Sequence, residues 1–211
     1  GVDIVGILAK STGALSITNS GNIYVDNGGT GGIYADDAGG AGGITITNTG
    51  TIDIQSGTFT VQTSGSTFTQ TAGATHLNGG NLEIGGSPGV FNIQGGKLDG
   101  NGTINGNISV SGTGQFNPGT SPGEISITNN HTYTQAAPGV FNVDVNGTSP
   151  GFDYDRILVS GAATLGGELK VTLGYTPALG DSFTILEHAS RTGTFSKLTF
   201  PAAGAGRGWD V

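Results

Sequence analysis

Asp153 and Asp155 flank Tyr154, with Arg156 next in the chain. Residues two apart on a β-strand share a face, so this pair could hold a cation or do acid–base work. Calcium asks for more oxygen ligands than two carboxylates supply. The residues read better as a turn before a strand at 157–159, with Arg156 as the nearby counter-charge. Asp36 and Asp37 sit in the glycine-rich corner GGIYADDAGG. That corner lacks the GGxGxD spacing of calcium-binding roll repeats and reads as a solvated loop. His76, His131 and His188 stand apart in the sequence, and none lies in a zinc-type spacing. No serine sits in G-x-S-x-G. Asn101, Asn107, Asn130 and Asn146 head N-x-S/T triplets, which a chain rich in Gly, Asn and Thr produces by composition. No catalytic, cofactor-binding or metal-binding residue is assigned on these grounds, and the expectation is a protein that is not an enzyme.

An active site would have to be built from distant elements, because 211 residues carry only 7 basic and 15 acidic side chains. The net charge is −8, and no Lys or Arg occurs between Lys10 and Lys97. So bare and acidic a first half is a poor surface for nucleic acid or anionic lipid. The absence of cysteine excludes a disulfide framework, a thiol nucleophile and a thiolate metal site. The chain lacks an initiator methionine, a signal peptide and any apolar run long enough for a membrane span, so it is expected to be a processed product or an excised fragment. Glycine numbers 42 without a Gly-X-Y period, which sets collagen aside.

The elements that must position these residues are short and β-type. Residues 6–26 and 32–53 form an internal repeat. Gly6 matches Gly32 and Ser16-Ile17-Thr18-Asn19 matches Thr45-Ile46-Thr47-Asn48, with an insertion in the glycine-rich corner between. Each copy holds three short strands, which describes one turn of a three-sided solenoid. Alternation turns Ile7, Ile33, Leu15, Ile17, Ile44, Ile46, Ile23, Val25, Ile52 and Ile54 inward, and Ser16, Thr18, Thr45 and Thr47 outward. Ile17 and Ile46 are expected in one interior column, as are Ile23 and Ile52. Asn19 and Asn48 end equivalent strands, where asparagine suits a left-handed corner and stacked amides can bond one another. Residues 58–151 read as irregular coils, in which PGVFN, SITN and T-aromatic-TQ recur, and 152–211 as closing coils of the same domain. No stretch has a helical period. The Thr-rich strands invite comparison with ice-binding solenoids, which need a flat threonine array; ITIT, TFTVQT and TFTQT are not expected to keep one register.

The stretch GGKLDGNGTINGNISVSGTGQFNPGTSPGEISITNNHTYTQ at 95–135 alternates such pieces with Gly- and Asn-rich corners. Its GTINGN unit at 102–107, its NPGTSPG corner at 117–123 and the element YDRILVSGAATLGG at 154–167 resemble the C-terminal part of bacterial autotransporter passenger domains. The resemblance covers residues 67–211, and the repeats at 32–52 are similar to the haemagglutinin-like repeats of such proteins. It implies a right-handed parallel β-helix that is displayed on, or shed from, a bacterial surface. The handedness agrees with the rule for parallel crossovers.

The expected protein is therefore all-β, a single three-sided right-handed parallel β-helix of about eight turns over 1–211. Its expected function is that of an extracellular structural or adhesive solenoid of a bacterial surface or secreted protein. Its expected partners are its own copies, stacked end to end into a filament, or cell-surface and extracellular-matrix components, with no nucleic acid, membrane, metal or cofactor. The alternative is a carbohydrate-active β-helix enzyme, which would show a groove with at least three convergent ionisable groups.

Overall fold

The computed structural model describes residues 6–11, 15–25, 30–37, 44–62, 67–85, 89–120, 122–202 and 208–210. The strands come in chain order as β1 (Gly6–Ser11), β2 (Leu15–Asn19), β3 (Asn22–Val25), β4 (Thr30–Asp37), β5 (Ile44–Asn48), β6 (Thr51–Ile54) and β7 (Thr58–Gln62). The middle of the chain gives β8 (Thr67–Gln70), β9 (Ala74–Ile84), β10 (Val90–Ile93), β11 (Lys97–Asn105), β12 (Asn107–Val110), β13 (Gln115–Pro118) and β14 (Glu124–Ile127). It ends with β15 (Tyr133–Gln135), β16 (Val140–Val145), β17 (Arg156–Leu165), β18 (Glu168–Leu173), β19 (Leu186–Gly193) and β20 (Lys197–Thr199). Among the described residues there is no helix.

Every strand-to-strand register is parallel, and the registers sort the strands into three ladders. The first face stacks β2, β5, β8, β10, β12, β15 and the second halves of β17 and β19. The second stacks β3, β6, the first halves of β9 and β11, then β13, β16, β18 and β20. The third stacks β1, β4, β7, the second halves of β9 and β11, then β14 and the first halves of β17 and β19. Eight rungs on each face make a parallel β-helix of eight turns, roughly 40 Å long at the strand spacing.

Both matches of the internal repeat are rungs: Gly6 lies beside Gly32, and Ser16 beside Thr45. Ile17 pairs with Ile46 and Ile23 with Ile52, as the alternation predicts. Ile46, Ile52 and Ile54 are wholly buried, while Ile23 is only half-buried at the first rung. Leu15 pairs with Ile44 and Ile7 with Ile33, with their side chains outside the described part.

The interior of the first face is one column running Ile17, Ile46, Phe68, Phe91, Ile108, Tyr133, Ala163. The Phe68 and Phe91 rings stack at 4.3 Å between centroids. Tyr133 stays in this apolar column because its hydroxyl donates to Gln135 Oε1 at 2.7 Å; burial pushes its pKa far up.

The corner between the first two faces is polar inside. Asn19 donates to Asn48 Oδ1 at 2.8 Å, and Asn48 donates to Gln70 Oε1 at 3.2 Å. Gln70 then donates to Lys97 O, and Gln135 to Glu168 O, both at 2.8 Å, so the two TQ recurrences do the same work. The stacked amides are as expected, but the left-handed backbone is not. Among the described residues only Asn129 and Asn130 have positive φ outside glycine. At the equivalent corners after β8 and β10 the left-handed turn falls instead on glycines, Gly73 and Gly96. Gly73 has φ +67, and a Cβ there would stand 2.0 Å from Gly50 O. Adjacent coils approach so closely at this corner that no side chain fits.

Two recurrences mislead. PGVFN feeds β10 on the first face but β16 on the second, and SITN lies in β2 on the first face but in β14 on the third. ITIT and TFTQT do share a register, with Thr45 beside Thr67 and Thr47 beside Thr69, while TFTVQT lies on the third face. The threonine array is thus more regular than expected over β2, β5 and β8. It breaks at Val90 and Asn92.

Candidate functional site

A cleft of about 660 Å³ opens on the outside of the second face. Along this face runs a column of outward side chains, one per coil: Asp53, His76, Asp99, Asn117, Asn142 and Lys170 in successive rungs, of which His76, Asp99, Asn117 and Asn142 form the floor. Tyr24 precedes Asp53 in the same column and is 54% exposed. The cleft itself spans His76 to Asn142, with Gln115, Asp144 and Thr172 alongside and Pro118, Gly119 and Thr120 as one wall.

The ionic part of the floor is internally compensated. His76 Nδ1 contacts Asp99 Oδ1, and Lys97 Nζ lies 2.6 Å from Asp99 Oδ2. Asn78 Nδ2 donates to Asp53 Oδ1 at 2.6 Å. Asn142 donates to Asn117 Oδ1 at 2.7 Å and to Gln115 Oε1 at 3.3 Å. These bonds use only part of the donor capacity. The Asn117 amide nitrogen, His76 Nε2 and the Thr172 hydroxyl have no partner among the described residues.

The wall is the NPGTSPG corner, and Asp155 holds it in place. One carboxylate oxygen accepts the Gly123 amide at 2.7 Å and the other accepts the Asp144 amide at 2.8 Å. Gly119 exchanges both backbone hydrogen bonds with Gly100 of β11. Asn101 Oδ1 accepts the Glu124 amide at 2.7 Å. Gly123 has no room for a side chain here, because a Cβ would stand 2.5 Å from the backbone Cα of Gly119 as well as against Asn101 Oδ1. Asp155 is almost wholly buried; burial pushes its pKa up to about 7, with the two amide bonds opposing and the Asp144 charge adding.

Asp153 and Asp155 therefore do not converge on a ligand. Asp153 accepts the Ser149 amide at 3.1 Å in the turn before β17, and that turn's hydrogen bonds, the Ser149 hydroxyl first, hold its pKa below the usual range. The turn is as expected, but the counter-charge is not. Arg156 pairs with Glu124 at 2.6 Å and Glu187 at 3.1 Å, along the third face. Asp36 and Asp37 end strand β4 in register with Lys10 and Ser11, so this segment is a rung rather than a solvated loop.

The three histidines fall on separate parts of the coil. His131 lies beside Asn107 Oδ1 at 3.3 Å before β15, and burial lowers its pKa; His188 is exposed on β19. Asn107 is engaged by the Thr132 amide and hydroxyl. Only His76 joins a cluster, which sequence spacing hid because its partner Asp99 is 23 residues away, one coil further on. Among the described residues no group of three His, Cys, Asp or Glu could hold a metal ion.

These features define a parallel β-solenoid with a polar cleft across successive coils of one face. No protein-family model, curated protein or solved structure matches the chain.

Proposed function

We propose that the chain is a structural and adhesive β-solenoid of a bacterial surface or secreted protein. The observation that carries this reading is the stack of eight coils that sets outward side chains in register rung by rung, which gives an extended, multi-point polar surface. Such a face binds by many weak contacts in register rather than by one deep pocket. The test is retention of chain-coated beads on host epithelial cells and on immobilised matrix proteins at physiological salt. Retention above that of beads coated with an unrelated acidic protein is expected. Equal retention on every surface overturns the adhesive reading.

A second reading, a carbohydrate-active enzyme, is favoured by one observation. His76, Lys97, Asp99, Asp144 and Asp155 all line the cleft, which meets the criterion of three convergent ionisable groups. Against it, Lys97 neutralises Asp99, and Asp155 is occupied by two backbone amides. Release of new chain ends from a polysaccharide, abolished in Asp99→Asn, would establish the enzyme. A chain that binds without turnover excludes it.

A further inference from the structure

We propose that the first face binds ice, its outward hydroxyl and methyl groups matching the water positions of a growing crystal plane, an inference that goes beyond the adhesive reading and does not rest on it. Thr18, Thr47 and Thr69 stand in register on β2, β5 and β8. Asn92 interrupts this column on β10, and Ser109, Thr134, Thr164 and Thr192 resume it on β12, β15, β17 and β19. Two residues earlier on each strand runs a second column. It begins with Ser16, Thr45 and Thr67, passes through Val90 and Asn107, and ends with Ala162 and Ser190. Val90 keeps the shape of threonine with a methyl in place of the hydroxyl, so it interrupts the bonding and not the surface. The hydroxyls thus fall on a two-dimensional array. It repeats at ~4.8 Å along the axis and roughly 6.6 Å across it, and extends for about 34 Å. Those two repeats lie near the spacings of water oxygens on a prism plane of hexagonal ice.

Charge is kept off this face. Among the described residues none of its outward positions holds Asp, Glu, Lys or Arg, and Arg191 lies in register with the inward Ala163. Outward charges sit on the other two faces, Asp53, Asp99 and Lys170 on the second and Glu124 and Arg156 on the third. An ionic group holds its own hydration shell strongly, in a geometry foreign to the lattice. Thr47, Thr69, Ser109 and Thr134 make no side-chain hydrogen bond among the described residues, so their hydroxyls are open to water. Each such contact is weak. A solid offers all of its partners at once and in register, so the contacts add. Where the array is most regular it is backed by Phe68 stacked on Phe91, and the amide chain from Asn19 through Asn48 to Gln70 ties successive coils together at the strand ends.

The test is incorporation of the 211-residue chain into ice grown slowly on a cooled probe, read as the protein in the ice against that left in the liquid. An unrelated acidic protein serves as the control. The chain is expected to enter the ice and to shape single crystals into facets, while the control stays in the liquid. Thr69→Tyr and Thr134→Tyr, in separate coils, each set a bulky ring on the array, and aromatic residues suit a strand surface. Both are expected to lower incorporation to the control level with the far-ultraviolet circular dichroism unchanged. Ser126→Tyr, outward on the third face, is expected to enter the ice as the parent does. Any of three results overturns the proposal: a parent chain left in the liquid, folded array variants that enter the ice like the parent, or equal loss in Ser126→Tyr. Exclusion from ice together with a light-scattering mass that rises with concentration and falls back in Thr69→Tyr gives the face to a second copy instead.

Discussion

Asp155 shows how a residue's chemistry can be visible while its role is not. Its spacing from Asp153 suggested a shared face, yet its carboxylate is turned inward to two backbone amides contributed by segments far apart in the chain. Asp144 meets Asp155 across a local antiparallel turn in which Val145 faces Tyr154, whereas only the coil period brings Gly123 to them, and no local pattern encodes that contact. The consequence is a pH dependence with a definite sign. An unfolded aspartate titrates near ~3.9, whereas Asp155 in the fold titrates at about 7. Between those values the folded state binds the extra proton, so this group's contribution to stability falls as pH rises from about 4 to about 7 and is flat above. His131, whose pKa burial lowers, acts oppositely, since its contribution is lost as pH falls below its ordinary value. Asp153 is depressed and changes only at lower pH. The difference between the parent and Asp155→Asn isolates the term. Urea midpoints taken from pH 4 to pH 8 should show the parent losing stability relative to the variant as pH rises; a constant difference rejects the assignment. At pH 4, before that loss sets in, the variant should be less stable by ~1–3 kcal/mol, because one amide loses its acceptor. A cost at the lower end of that range is expected for Asn48→Leu, which removes the amide linking Asn19 to Gln70 while Asn19 keeps Gly21 O and Gln70 Oε1 keeps the Thr75 hydroxyl.

Strands were legible where the repeat was. The offset matches, together with two-residue alternation, sufficed to place the first two coils and their interior columns, because β-branched residues at that period bury on one face only. Later coils were harder for a physical reason. PGVFN and SITN make a strand of the same local character on any face, so recurrence carries no address. β9, β11, β17 and β19 each turn a corner inside one continuous strand, and the glycines at the first three of these corners (Gly79-Gly80, Gly100 and Gly102, Gly161) do not interrupt the strand as the earlier corners do. The motifs that resemble autotransporter passengers turn out to touch. The 117–123 corner and the 154–167 element are joined by Asp155 to Gly123 and by Arg156 to Glu124. Two substitutions probe this level. Ile46→Asp places an unpaired carboxylate between Ile17 and Phe68 and should cost several kcal/mol; a variant that melts with the parent would refute the shared column. Gly123→Ala sets a Cβ against Asn101 Oδ1 and should release the cleft wall, seen as faster amide exchange at Gly119 and Glu124 with exchange at Ile46 unchanged.

Among the described residues, β1, β2 and β3 pair only with the coil after them, and β19 and β20 only with the coil before. Unpaired strand edges are templates for another strand, and a head-to-tail contact that does not close propagates. The interior column of the second face begins at the half-buried Ile23 and runs through Ile52, Thr75, Leu98, Phe116, Phe141 and Leu169 to Leu198, which is 46% exposed. Setting one copy's Ile23 over another's Leu198 continues that column with apolar on apolar and extends the cleft column from Lys170 onward to a second Tyr24. Long-range charge opposes the contact, since each copy carries −8, so association should strengthen as salt screens it. Light scattering across a concentration series at low and at physiological salt checks this. The expected outcome is a mass that rises with concentration, rises further with salt, and stays at the monomer value in Leu198→Lys, where a charge enters the edge rung. A monomer at every concentration and salt rejects end-to-end assembly and leaves the single rod as the unit that presents the cleft.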